Sequence, residues 1–327
     1  MRPSEAPRPT LEEILQAVDR LAQSRNPGSA EFAQATRSSA LVDTNGEWVL
    51  KHVGIFSWDP ENWEAAWTEN LDPDLEQGFA RWLINWRIEP AFQATAAIGA
   101  RLDGVQIDNF MSSPAIDLRP EAVENADYTL TYSPHTYQPG VHSGFATFEY
   151  LQFLREYLNA SWGEGCGISV NFWGLGHPNY LAGFIDAFGG EGNTRTGQGN
   201  NWNLEILNYR RAIAYHKPLL FANQTPQLTE EAAHHFQSLS LLYGIRPMQG
   251  PHGTGWNPTV GHIIGETAAL VERYWWAGWK PITHAKADSS DIWVERFGDD
   301  PTEGIFFVVC NSAEETIPLK TLAKPCP

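Results

Sequence analysis

The segment Leu102-Asp103-Gly104-Val105-Gln106-Ile107-Asp108-Asn109-Phe110 constrains this chain more than any other stretch. Asp103-Gly104 turns the backbone in, Val105, Ile107 and Phe110 are apolar, and Asp108-Asn109 stops the apolar run with hydrogen-bond acceptors. The pattern reads as a short buried strand that delivers a carboxylate to its own C-terminal end. Such an end has two uses. It caps the helix that follows, or it serves chemistry, because in a β/α barrel the working groups sit at the C-terminal ends of the strands.

The rest of the chain alternates helix and strand signals. Helical patterns cover residues 11–24, opened by Thr10 with Glu13 in capping-box spacing, then 30–40, 76–99 with a break or kink at Pro90, 145–159, 203–215 and 229–240. Strand patterns lie near residues 53, 105, 168, 185, 219 and 242. Strand, loop and helix in repetition imply parallel strands, in a barrel or a doubly wound sheet. A nucleotide-binding Rossmann sheet is disfavoured, because no Gly-x-Gly-x-x-Gly follows the first strand and opens a helix. The expected class is therefore α/β, a TIM-type (β/α) barrel over residues 1–285. Six strands are found where a barrel needs eight, so the expectation includes an N-terminus inside the domain and a chain shorter than the enzyme it represents. Residues 291–298, 304–311 and 316–319 alternate like antiparallel strands, and 286–327 reads as the start of a β-sandwich-like domain. Residues 111–142 are too polar and too rich in Pro, Tyr and His for a core element, and an excursion this long suits a substrate-contacting lid.

Charge narrows the partners. Thirty-nine Asp and Glu against 22 Lys and Arg give a net charge of −17, which repels phosphate backbones and anionic membrane surfaces. Nucleic acid and membrane are excluded as expected partners. No apolar run approaches the ~20 residues that span a bilayer, and Arg2, Glu5 and Arg8 stand where a secretory signal needs an apolar core. Compartment is not legible, although an internal start would suit an extracytoplasmic protein. Cys166, Cys310 and Cys326 match no metal or redox spacing and read as free thiols.

The strand at 102–110 resembles the "D-G-hydrophobic-x-hydrophobic-D" strand of retaining glycoside hydrolases with barrel folds, where the second Asp is the nucleophile. Residues 184–193 and the junction 279–298 resemble other parts of those enzymes, and the resemblance in organisation spans residues 50–312. It implies that Asp108 follows the fourth strand and that an acid/base follows the fifth or sixth. Glu191, in Gly-Gly-Glu-Gly-Asn, fits that second role, and glycines there let the backbone approach a ligand. Asp186 competes for it. Glu149 reads as a solvated helix acid, and Glu295-Arg296 as a cross-strand or interdomain ion pair.

Aromatic composition agrees with a sugar ligand. Aromatic residues make up 12% of the chain, and many stand beside Gly, Asn or Pro, where flat rings stack on sugar faces while amides bond hydroxyls. Trp58, Asn109, Tyr132, His135, Asn171, Trp173, Asn193, Asn223, Gln249 and Trp256 are the expected lining of a carbohydrate cleft, with Tyr137 beside His135 in the lid. Trp82 and Trp86 read as core. A metal site built from His135, His142, His177, His216, His252 or His284 with Asp108 is the rival chemistry, a metal-dependent hydrolase or isomerase. A non-catalytic carbohydrate-binding barrel, or an inactive fragment, is the rival from another class. No cofactor or metal is expected for the favoured reading.

Overall fold

The computed structural model describes residues 7–56, 59–110, 115–172, 179–192, 204–223, 228–249 and 258–312. The chain forms two units, one of Met1–Gln106, Met111–Ile168 and Pro178–Phe184, the other of Ile107–Phe110, Ser169–His177 and Ile185–Pro327.

The first unit opens with α1 (Leu11–Ala22) and α2 (Pro27–Ser39). Thr10 and Glu13 form the full capping box, so two otherwise orphaned N–H groups are satisfied at the start of α1. Next come β1 (Leu50–Phe56) and β2 (Asp59–Trp67), paired antiparallel as a two-stranded sheet. This corrects the expectation of a barrel strand near residue 53. Alternation reveals an extended segment without naming its partner, and a two-residue connection allows only an antiparallel neighbour. A helical stretch follows as α3 (Phe79–Leu83), a π-helical turn over Ile84–Ile88 and α4 (Glu89–Ala97). The interruption lies just ahead of Pro90, which has no N–H for the Trp86 carbonyl and whose ring would crowd it, and the wider π turn relieves both.

β3 (Gly104–Phe110) then runs from the first unit into the second. The expected lid folds on itself as β4 (Ile116–Asp117), α5 (Pro120–Glu124), β5 (Thr131–Tyr132) and β6 (Pro139–His142), with strand order β4-β6-β5. A buried ion pair ties this piece down. Arg119 meets Asp117 at 2.7 Å and also donates to the Ser38 carbonyl, while Asn70 donates to Asp117 at 3.0 Å. Both oxygens of Asp117 are thus occupied, the condition under which a buried charge is tolerated. The long helix α6 (Ser143–Trp162) leads to β7 (Gly167–Phe172).

The second unit is built on the parallel sheet. After β7 come β8 (Ala187–Gly189), β9 (Glu191–Gly192), α7 (Leu204–Ala214), β10 (Leu219–Asn223), α8 (Glu230–Tyr243), β11 (Ile245–Gln249) and α9 (Pro258–Val271). The strands neighbour one another in chain order, β3-β7-β8-β10-β11, with β9 extending the β8 line and pairing with β10. Ile168, Val170, Phe188, Phe221 and Ile245 are buried in it, as are Leu207 of α7 and Phe236 of α8. Burying each such side chain is worth roughly 1.5–3 kcal/mol, which is what holds these helices to strands of little local stability.

A separate antiparallel sheet of β12 (Trp279–Lys280), β13 (Ile292–Phe297) and β14 (Phe306–Asn311) closes the described chain. It covers a small core of Val271, Tyr274 and Phe297, with Trp275 and Trp279 packed on it, so core packing accounts for two members of the tryptophan run at 275–279. The strand pattern at 316–319 lies outside the described residues. Cys166 is buried and Cys310 half-buried, both free thiols. Among the described residues no helix is long and apolar enough to cross a membrane.

Helix α8 ends at Gly244, which adopts φ 65°, and a Cβ there would stand 2.6 Å from Phe297 Cε1. The left-handed C-cap and the close ring both require glycine. Gly244→Ala is expected to destabilise the protein by about 2–4 kcal/mol, combining the left-handed penalty with overpacking. A urea titration followed by tryptophan fluorescence measures it, and a midpoint unchanged from wild type would refute this account of the cap.

Candidate functional site

The C-terminal end of the parallel sheet gathers polar residues because each strand's apolar run stops there. Asp108 stands two residues before the end of β3, and Asn171 near the end of β7. Asn171 Nδ2 donates to Asp108 Oδ1 at 2.8 Å, and Asn109 Nδ2 donates to Asp108 Oδ2 at 2.8 Å. Asn109 holds φ 51°, a left-handed conformation that Asn tolerates better than most residues. Both carboxylate oxygens are therefore fixed by amides while Asp108 itself remains exposed. Asn171 is buried, and its Oδ1 has no hydrogen-bond partner among the described residues.

Alternation decides which residues face one another. A Cβ at Gly190 would lie 2.8 Å from Arg210 Nη1 and 3.1 Å from the Phe221 ring, so that position faces α7. Glu191, the next residue, falls on the opposite face, where its register partner Ala222 also lies. Asn171 pairs in register with Gly189, of the same parity as Glu191, and Asp108 bonds Asn171. Asp108, Asn171 and Glu191 thus share one face at the C-terminal strand ends. Asn223, in register with Gly192 and Gln249, alternates to the face of Leu219 and Phe221 and is buried, so it is set apart from the other three.

Other sequence expectations lie on other elements. Asp186 precedes β8 and is exposed at its N-terminal side, which removes it from the strand-end group; the strand begins later than its apolar pattern. Tyr132 and His135 are exposed in the first unit, as is Tyr137 with φ 58°. Trp58, Trp173, Asn193 and Trp256 lie outside the described residues. Glu295 pairs with Arg211 at 3.1 Å and accepts from Trp279 Nε1 at 2.8 Å, while Arg296 donates to the Gly298 carbonyl. The expected Glu295-Arg296 pair is therefore replaced, since sequence neighbours on a strand point to opposite faces. A hollow of about 620 Å³ lined by Glu31, Gln34 and Arg37, and one of about 460 Å³ lined by Lys286, Asp288 and Ile292, include none of the strand-end residues.

Sequence reasoning missed two features. Arg210 is one, a buried arginine that sequence alone does not set apart from its neighbours Arg211, Asn208 and Glu205 in the same helix. The other is a cluster in the first unit, where carboxylate oxygens of Asp72, Asp74 and Glu149 lie within 4.8 Å of one another. Among the described residues this is the group with the spacing of cation ligands, and no histidine or Asp108 belongs to it. Glu149 is not a solvated helix acid. Burial, with the charges of Asp72, Asp74 and Asp127, pushes it up to about 7, and burial pushes Asp72 up to about 6.

Those shifts set the sign of a pH dependence. Both groups bind protons more tightly folded than unfolded, so they weaken the fold fully above about pH 7 and less as pH falls toward their unfolded values. Glu69, pushed up to about 8 by burial, acts in the same direction. The denaturant midpoint is expected to rise between pH 8 and pH 5, and Glu149→Gln to flatten that rise; a midpoint that falls over this interval would contradict the assignment. Against family models, curated protein sequences and solved structures the chain finds no match, so the reading of the sheet end rests on its own geometry.

Proposed function

We propose that the chain is a glycoside hydrolase of the β/α-barrel type that cleaves an oligo- or polysaccharide with retention, Asp108 acting as nucleophile and Glu191 as general acid/base. The observation that carries this reading is the common face of Asp108, Asn171 and Glu191 at the C-terminal ends of parallel strands. Strand order supports the barrel: five strands neighbour one another in chain order, as around a barrel, whereas a doubly wound sheet reverses after about three.

The chemistry follows from the placement. Glu191 protonates the glycosidic oxygen as an Asp108 oxygen attacks the anomeric carbon and the carbon–oxygen bond breaks. Glu191, now a carboxylate, takes a proton from water, which displaces Asp108 and restores both groups. The amides of Asn109 and Asn171 hold the attacking carboxylate, and the open acceptor of Asn171 suits a sugar hydroxyl. Asp108 and Glu191 stand two strand positions apart, about 10 Å between backbones, from which side chains converge to the roughly 5–5.5 Å of a retaining pair. The reaction calls for no metal or cofactor. The exposure of Asp108 favours a second reading, a carbohydrate-binding protein without turnover.

A panel of aryl glycosides and polysaccharides, assayed by released aglycone and reducing ends, tests the proposal. Asp108→Asn is expected to abolish turnover with an unchanged melting temperature. Glu191→Gln should slow unactivated substrates by about 10²–10⁴-fold while sparing those whose leaving groups need no proton. Inverted product anomers would make Asp108 a base, full activity in Asp108→Asn would remove it from the site, and saturable sugar binding without turnover would favour the second reading.

A further inference from the structure

Arg210 is 2% exposed, and its Nε, Nη1 and Nη2 are all buried without a hydrogen-bond partner among the described residues. Its neighbour Arg211 shows what a buried guanidinium ordinarily has. Arg211 pairs with Glu295 and donates to Asn208 and the Leu242 carbonyl, with the rings of Tyr243 and Trp279 against it at 4.4 and 4.3 Å. Arg210 has the Phe221 ring at 5.6 Å and the bare backbone of Gly190. A desolvated cation–π contact offsets only part of what burying an ion costs. Burial draws its pKa down only to about 10, so the group stays charged at neutral pH. The ring alone therefore leaves the charge uncompensated.

Among the described residues no carboxylate pairs with Arg210. The internal segments 57–58, 111–114, 173–178, 193–203, 224–227 and 250–257 contain no Asp or Glu at all.

We propose that the second unit binds a small inorganic anion of halide size at the Arg210 guanidinium, on the helix-facing side of the sheet behind Gly190. The guanidinium presents five donors in a fixed fork, and none of its nitrogens reaches solvent, so an ion of one atom suits it and the carboxylate of a polymeric sugar does not. Gly190 is the position that admits the guanidinium to this place. The site is separate from the catalytic reading and survives if that reading fails.

Thermal denaturation of the full chain in sodium gluconate, with chloride substituted at constant ionic strength, tests the site. Anything that binds only the folded state raises stability as RT ln(1 + [L]/Kd). The wild-type melting temperature is expected to rise by several degrees along that curve, and bromide to act like chloride. Arg210→Met, which removes the buried charge, should show no chloride dependence and melt no lower than wild type in gluconate. Chloride-35 line broadening by the wild-type protein, absent in Arg210→Met, supplies a readout that does not depend on the variant's stability. A wild-type melting temperature indifferent to chloride, or an equal response in Arg210→Met, overturns the proposal.

Discussion

Behind the polar end of the parallel sheet, the missing side chain at Gly190 leaves room for a buried guanidinium. A Cβ there would press on Arg210 Nη1 and on the Phe221 ring, and the guanidinium, the far end of a flexible side chain, would have to shift. With glycine, the guanidinium occupies the space and the strand keeps its parity. Glu191, one residue on, alternates to the face that carries Asn171 and Asp108. One absent methyl group separates the structural charge behind the sheet from the carboxylates in front of it.

Buried charge is handled in three ways in this protein. Asp117 and Arg119 are fully partnered, with Asn70 and the Ser38 carbonyl completing the set, and they anchor a long excursion that has little apolar core. Asp72 and Glu149 lie beside Asp74, and burial together with same-sign charges raises both, so part of the population holds a proton there near neutral pH instead of charge. Arg210 can do neither, because a guanidinium does not readily surrender its proton and no carboxylate among the described residues meets it. A chain with a net charge of −17 thus still leaves a buried cation bare, since long-range charge excess cannot replace a partner at contact distance in a low dielectric.

Elements whose signal is local were legible. The Thr10–Glu13 box and the helix break at Pro90 each follow from hydrogen bonds or steric limits between near neighbours, and each is present; the Asp108 strand forms too, but it runs on to Phe110, which alone of its residues is buried, so the expectation of a buried strand is corrected. The parallel class was legible too, because strand signals separated by helical ones leave little other topology. Elements whose signal depends on a distant partner were not. Residues 53–58 read as a barrel strand, whereas Leu50–Phe56 pairs in a hairpin; Glu149 reads as solvated and sits against two aspartates; Glu295 reads as a partner of Arg296 and bonds Arg211 and Trp279.

The sequence by itself determined which residue types stand at strand ends, that Asp108 is followed by an amide able to fix it, and that glycines flank Glu191. Only the tertiary structure decided that Asn171 supplies the second amide, that Asn223 turns to the other face, and that Arg210 lies behind Gly190. The reason is that side-chain parity within a strand is a local property, whereas register between strands and the contacts of a helix with the sheet are set by packing over tens to hundreds of residues.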